Sequence, residues 1–379
     1  MATTKSTKTL SKTPKQEKVS SVKAGASKTS HKASPSDKTG TIQKKKINIA
    51  LQGGGAHGAF SWGVLDRLLE DGRFEFDGLS GTSAGGMNAL ALIQGMMEGG
   101  NLKARETLSS FWRNLSELGK NSPINNRGYF DKLLNNYTLY LSPGFIFFDF
   151  LSRFFSPYDL NPLDINPLRT LIDQTFDFKK LRNYKDIKAF LCATHVHTGR
   201  LKIFSLDKMT PEKLQATACL PTLHHAITVD GDHYWDGGFI GNPAFFPLIY
   251  DTQSSDILYI KLNPLNRATL PTSTREISDR LNEITNNASV VREMRAINFI
   301  TKLIDGGEIK NPNIKRVYMH MIDDDETFLK LGWSSKVNTE WEFLTYLFEK
   351  GRLAADKWIK EHFDDIGKRS TVDLEKEFV

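Results

Sequence analysis

A serine set between small residues at a strand-to-helix junction constrains this chain more than any other feature. Residues 81–85 read Gly81-Thr82-Ser83-Ala84-Gly85, after the strand-like Phe76-Asp77-Gly78-Leu79-Ser80 and before a helix-like run from Ala84 to Met97. This is a G-x-S-x-G turn in the strand–turn–helix context that gives the pattern meaning. Such a turn forces the serine into a strained backbone conformation, and its small neighbours keep adjacent chain from clashing. The hydroxyl then projects at a helix N-terminus, where N–H groups stabilise negative charge. A serine so placed suits an acyl-enzyme. The plainer reading is a Gly-rich turn with an ordinary serine, since five-residue patterns recur by accident.

A second glycine-rich turn lies upstream. Gly53-Gly54-Gly55-Ala56-His57-Gly58 follows the apolar strand Ile47–Leu51 and precedes a helix-like stretch from Ala59 to Leu69. Three successive glycines let the main chain turn tightly and aim several N–H groups at one point, which makes an anion-binding nest. Beside a nucleophilic serine, that anion is the tetrahedral oxyanion. The rival reading is a dinucleotide loop, because Gly53, Gly55 and Gly58 fit G-x-G-x-x-G and Asp77 follows at a suitable distance for a ribose-binding acid. Asp77 sits just before the serine turn, however, and two adjacent elements of one hydrolase site are the simpler account. The third element is Asp236-Gly237-Gly238. As a bland turn it needs no role. Read with the other two, Asp236 is a candidate base for Ser83, provided that burial raises its pKa and the fold brings it within reach.

The three motifs in this order resemble those of the patatin-like phospholipase family, and the resemblance spans roughly residues 46–265. It implies an α/β fold and a Ser-Asp dyad without histidine. Ser83 is then the nucleophile, Asp236 its activating partner, and Gly53, Gly54 and Gly55 the oxyanion hole. Ala216-Thr217-Ala218-Cys219-Leu220-Pro221 resembles a further family stretch, with threonine in its serine position, and His57 stands where the family commonly has Arg or Lys. The expected activity is lipid acyl hydrolysis of phospholipase A or lysophospholipase type on a phospholipid or lysophospholipid ester, with no metal or organic cofactor. Two alternatives stay open. One is an α/β-hydrolase triad, for which His320 and His362 are the only histidines after Asp236. The other is a non-catalytic membrane adaptor that keeps the fold.

Strand-like runs interleaved with helical patterns predict a mainly parallel central sheet with helices on both faces. Further strands are expected at 187–196, 200–206, 256–262 and 317–322. A long helix is expected over 274–304, with Ile277, Leu281, Ile284, Val291, Met294 and Ile297 on one stripe, and one or two amphipathic helices over 338–363. The chain therefore divides into a basic tail (1–46), a catalytic domain (47–265) and a mostly helical C-terminal region (266–379) that packs on it. The acidic run Asp323–Glu326 reads as a solvated turn or helix cap.

Charge separates the tail from the rest. Residues 1–46 hold twelve lysines against Glu17 and Asp37, a local net of +10, so the remainder carries −4 of the total +6. With almost no large apolar residues, the tail cannot offset its ordering entropy and is expected to be disordered. It reads as a solvated leader, or as a polybasic arm for anionic membranes. It has no aromatic residues to suit a nucleic-acid arm and no apolar h-region, although its composition is compatible with a non-cleaved secretion leader. A cytoplasmic location, with peripheral membrane contact, is expected.

Cys192 and Cys219, both in apolar context, read as buried thiols of a reducing compartment. His195 and His197 share a strand face but lack the further ligands a zinc site needs. His224, His225 and His233 read as packing or surface residues, or as residues at the site mouth. The apolar run from Phe145 to Phe155 is too short to span a bilayer and carries Asp149 and Arg153. It is either a core helix or, within residues 140–170, a cap that covers the serine, with Phe145, Phe147 and Phe148 as candidate substrate contacts.

Overall fold

In the computed structural model, residues 44–379 are described except 121, 123, 126, 135–136 and 312–313. Nearly all of the expected basic tail therefore lies outside the described residues. Its last two lysines do not belong to it: Lys45 and Lys46 open the first strand, β1 (Lys45–Leu51).

Eight strands form one mixed sheet. In chain order they are β1, β2 (Phe74–Gly81), β3 (Lys188–His195), β4 (Leu201–Ser205), β5 (Ile227–Val229), β6 (Asp232–Asp236), β7 (Asp256–Ile260) and β8 (Tyr318–Ile322). Their spatial order is β5-β6-β3-β2-β1-β7-β8, with β4 paired to β3. The centre is parallel, β3-β2-β1-β7-β8, while β4, β5 and β6 join antiparallel on the β3 side. The central strands are buried on both faces, which is why Ile257–Ile260 of β7 is a continuous apolar run and Ile47–Leu51 of β1 is apolar but for the buried Asn48. Alternate residues feed two cores. Ile47, Ile49 and Leu51 of β1 join Leu258 and Ile260 on one face. Ala50 joins Ile257 and Tyr259 on the other.

Helix α1 (Gly58–Asp71) follows β1 and α2 (Ala84–Gly119) follows β2. Helix α2 is two helices broken at Gly99 and Gly100, where Gly100 has φ 72°. The helix Trp341–His362 lies on α1 so closely that a Cβ on Gly63 would stand 2.0 Å from the Phe348 carbonyl oxygen, and one on Gly351 2.0 Å from that of Phe60. Together with β8 at the sheet edge, this ties the C-terminal region to the same core.

Two expectations are corrected. In the helix Thr274–Asp305, the buried face carries Glu283, Asn287, Val290, Met294 and Ile297, while Ile277, Leu281 and Ile284 of the expected stripe are exposed. The acidic run is more than a solvated turn. Asp324 caps a short helix, and Asp323 and Asp325 hold the buried Lys261 ammonium at 2.7 and 2.9 Å. A buried ammonium needs such partners because its charge is costly away from water.

Candidate active site

The sheet register explains how residues 153 positions apart in sequence come together. Leu191 of β3 pairs with Gly81, the last residue of β2, and two residues on Ala193 pairs with Asp236, the last residue of β6. Both strands use the same edge of β3, since β4 occupies the other. β2 and β6 therefore meet end to end, and the turn after Gly81 opens next to Asp236. Two buried hydroxyls clamp this junction: Ser80 Oγ donates to the Ala244 carbonyl and Thr82 Oγ1 to that of Gly241, each at 2.6 Å.

Ser83 occupies the N-cap of α2 with φ 54° and ψ −123°, a left-handed conformation that costs a non-glycine residue of order 1–3 kcal/mol. Its neighbours must be small. A Cβ on Gly85 would lie 2.3 Å from the Leu51 carbonyl oxygen, and one on Gly53 would lie 2.7 Å from that of Thr82 and 3.1 Å from Ser83 Cβ. The glycine loop is thus pressed against the serine turn.

Ser83 and Asp236 line one cavity of about 440 Å³, together with Gly53, Gly54 and Gly55. Asp236 is 4% exposed and accepts a 2.6 Å hydrogen bond from the Gly238 N–H. Burial pushes its carboxyl up to about 6, against the opposing pull of the Gly238 N–H, the Ser83 hydroxyl and the Lys336 ammonium. A carboxyl in that range is a competent proton acceptor near neutral pH.

The three loop glycines are not equivalent, and Gly53 departs from its expected role as an oxyanion donor. Its N–H is donated to Asn242 Oδ1 at 2.7 Å, while the N–H groups of Gly54 and Gly55 find no acceptor among the described residues. Gly55, at φ 57°, must be glycine, since a Cβ there would meet the Lys336 carbonyl oxygen at 2.3 Å. Asn242 is itself fully buried, donating to Asn286 Oδ1 at 3.0 Å and receiving Gly53. Asn242→Ala is expected to cost about 1–3 kcal/mol, because the buried Gly53 N–H would lose its acceptor. Denaturant unfolding of the two proteins measures this.

Of the aromatic candidates, Phe145 and Phe148 line the cavity. Phe147 does not: it sits on the opposite side of the helix Pro143–Leu151 and is 64% exposed. Helical geometry requires this, since residues one and two apart point away from each other. His57 is buried between Phe328 and Phe343, its Nε2 2.7 Å from Ser335 Oγ. Ser335 Oγ donates to the Gly332 carbonyl, so His57 Nε2 is the donor of that pair. Burial holds His57 well below the usual histidine range.

The histidines of the triad alternative are engaged elsewhere. His320 Nε2 lies 3.0 Å from Asp256 and its Nδ1 3.1 Å from Thr371, and His362 pairs with Asp365. No histidine is among the described residues lining the cavity. His225 stacks on Tyr158, and His233 packs near the His197 ring. Both cysteines are buried, with thiols pushed up by burial to about 11 for Cys192 and about 12 for Cys219.

The sequence reading missed the wall opposite the serine. Leu281, Asn282 and Asn286 of the helix Thr274–Asp305, with Trp333 and Lys336, close the cavity from the C-terminal region. The available signal was Asn282 and Asn286 at i, i+4, two polar residues that share one side of the helix.

A family model described as patatin-like phospholipase matches residues 49–249. The solved structure of VipD from Legionella pneumophila is similar at 16% identity, covering 81% of this chain and 67% of that one, with a TM-score of 0.32. No curated protein matches the chain.

Proposed function

The chain belongs to the patatin-like phospholipase family and is in general terms a lipid acyl hydrolase, and we propose that it cleaves phospholipid or lysophospholipid esters through an acyl-enzyme on Ser83. The observation that carries this reading is the convergence of the strained Ser83 and the buried Asp236 at one cavity with apolar walls.

In the proposed reaction, Asp236 accepts the Ser83 proton as Oγ attacks the ester carbonyl. The N–H groups of Gly54 and Gly55 receive the oxyanion, and Gly53 holds the loop in place through Asn242. As the tetrahedral adduct collapses, Asp236 returns the proton to the departing alcohol. Water then gives a proton to Asp236, attacks the acyl carbonyl and releases the fatty acid, and Ser83 recovers its proton. Phe145, Phe148, Leu220 and Leu223 offer apolar contact for the acyl chain.

Membrane contact is assigned to the outer face of the helix Pro143–Leu151 and the segment after it. Ile146, Phe147, Phe150, Phe154 and Tyr158 are all at least half exposed there. An apolar surface of this kind on the helix that also walls the cavity would seat the mouth in a lipid interface. The experiment is fatty-acid release from phospholipid vesicles. The double variant Phe147→Asp/Phe150→Asp is expected to lose about tenfold or more on vesicles, since each buried aromatic contributes roughly 1.5–3 kcal/mol. Turnover of a short-chain soluble ester should be unchanged. Equal loss on both substrates would remove the membrane role, and an inert wild type would favour the adaptor reading.

A further inference from the structure

Two lysines are drawn into the fold, Lys261 buried and Lys336 half-buried, and they are treated differently. Lys261 is neutralised by Asp323 and Asp325 within 3 Å and by Glu377 at 3.8 Å. Lys336 lines the cavity with Ser83 and Asp236, and its hydrogen-bond acceptors are two neutral amide oxygens, Asn263 Oδ1 at 2.7 Å and Asn282 Oδ1 at 2.5 Å. No carboxylate among the described residues lies within 4.0 Å of its ammonium. The acids that act on it from further off have partners of their own. Glu283 is held by Arg267 and Arg280, and Asp279 accepts from Tyr140 and the Trp333 N–H. Asp236 is engaged by Gly238 and Ser83.

An ammonium has three donors and a full charge. Two of those donors are used here, and the charge is met only by carboxylates farther off than 4.0 Å. It is also the only cation among the described residues lining the cavity, because Asp149 and Asp236 are the other charged groups there and the nearby His57 is kept neutral by burial. The backbone of Lys336 abuts Gly55, which fixes the residue beside the glycine loop. A half-buried ammonium next to the reacting serine, with no carboxylate among the described residues within 4.0 Å, favours a ligand that brings its own negative charge.

We propose that Lys336, held by Asn263 and Asn282, binds the phosphate of a phospholipid substrate and selects it over an uncharged ester of the same acyl chains. This rests on the hydrolase reading but concerns recognition rather than turnover. Burial lowers the Lys336 ammonium to about 8, which leaves it charged at neutral pH.

The test measures binding in the full chain carrying Ser83→Ala, so that no turnover is needed. The probes are a short-chain phosphatidylglycerol below its micelle concentration and the diacylglycerol with the same chains, followed by Trp fluorescence. With Lys336 present, the phospholipid is expected to bind about 10- to 100-fold more tightly, the usual worth of a hydrogen bond to a charged group. Lys336→Met should bring the two dissociation constants together, and Lys336→Arg should restore most of the difference. Should Lys336→Met unfold, Lys336→Gln replaces it. An unchanged preference in the uncharged variants, or no preference with Lys336 present, overturns the assignment. Failure of the hydrolase reading is separate: it appears as a wild-type Ser83 that never forms a covalent adduct with a fluorophosphonate, whatever the binding ratios.

Discussion

Replacing Ser83 by alanine is expected to lower ester turnover by about 10⁴–10⁶, the loss typical when the nucleophile of a serine acyl-transfer site is removed. Folding should be spared. The Ser83 side chain supports no element, and the turn is held by Ser80, Thr82 and the glycines around it. Stability gives a second, opposite expectation. At φ 54° the strain belongs to the backbone, so Ser83→Ala retains it while Ser83→Gly relieves it. Ser83→Gly should therefore be as inactive as Ser83→Ala yet more stable by about 1 kcal/mol or more. Released fatty acid and a denaturant curve on the three proteins measure both effects. An alanine variant with undiminished turnover would remove Ser83 from the reaction. A glycine variant no more stable than alanine would mean that the turn is not strained.

Asp236→Asn carries the other large effect. Asparagine can still accept from the Gly238 N–H but cannot take a proton from Ser83, and losing a positioned base costs about 10²–10⁴ in rate. In wild type, kcat/KM should rise with pH to a plateau above about 6, where burial places the Asp236 carboxyl. The same burial makes the charged form a burden on the fold. An acid whose pKa rises from 3.8 in the unfolded chain to about 6 in the folded protein holds its proton more tightly when folded. Stability attributable to it is complete below pH 4 and falls as pH rises toward 6, reaching a full cost of about 3 kcal/mol above that. The asparagine of Asp236→Asn cannot ionise and escapes the cost. The variant is therefore expected to be nearly inactive and more stable than wild type at pH 8, with the gain gone at pH 4. A stability gain that is equal at both pH values, or a loss at pH 8, would contradict this origin for the raised carboxyl.

Local pattern carried the reading of the fold a long way. The β1 and β2 strands, the serine turn and the strain on Ser83 follow from short stretches in which the residue types themselves impose the geometry. Gly85 next to Leu51 is the clearest case, since nothing larger fits between those backbones. The long helix Thr274–Asp305 was legible in extent but not in orientation. Its buried face is set by Asn287 and Glu283 meeting polar partners from Gln52 and Arg267, which override the apolar stripe. The role of Gly53 was hidden for a related reason. Its N–H is consumed by Asn242, and only the register that carries β6 to the end of β2 brings that residue near. The wall supplied by Trp333 and Lys336 lay beyond the motifs altogether, because a 3₁₀ turn with no periodicity of its own holds both residues. The assignment of Phe147 failed on direction: neighbours on a helix do not share a face, and only the packing of Phe145 shows which face turns inward.

The most direct test of the central claim is intact-mass spectrometry of the protein after reaction with a fluorophosphonate ester, on wild type, Ser83→Ala and Asp236→Asn, with and without phospholipid vesicles. A single adduct on wild type, absent from Ser83→Ala and formed far more slowly in Asp236→Asn, is the predicted result. A folded wild-type protein that takes up no adduct, even with vesicles present, or an adduct that persists in Ser83→Ala, would contradict an activated Ser83 partnered by Asp236.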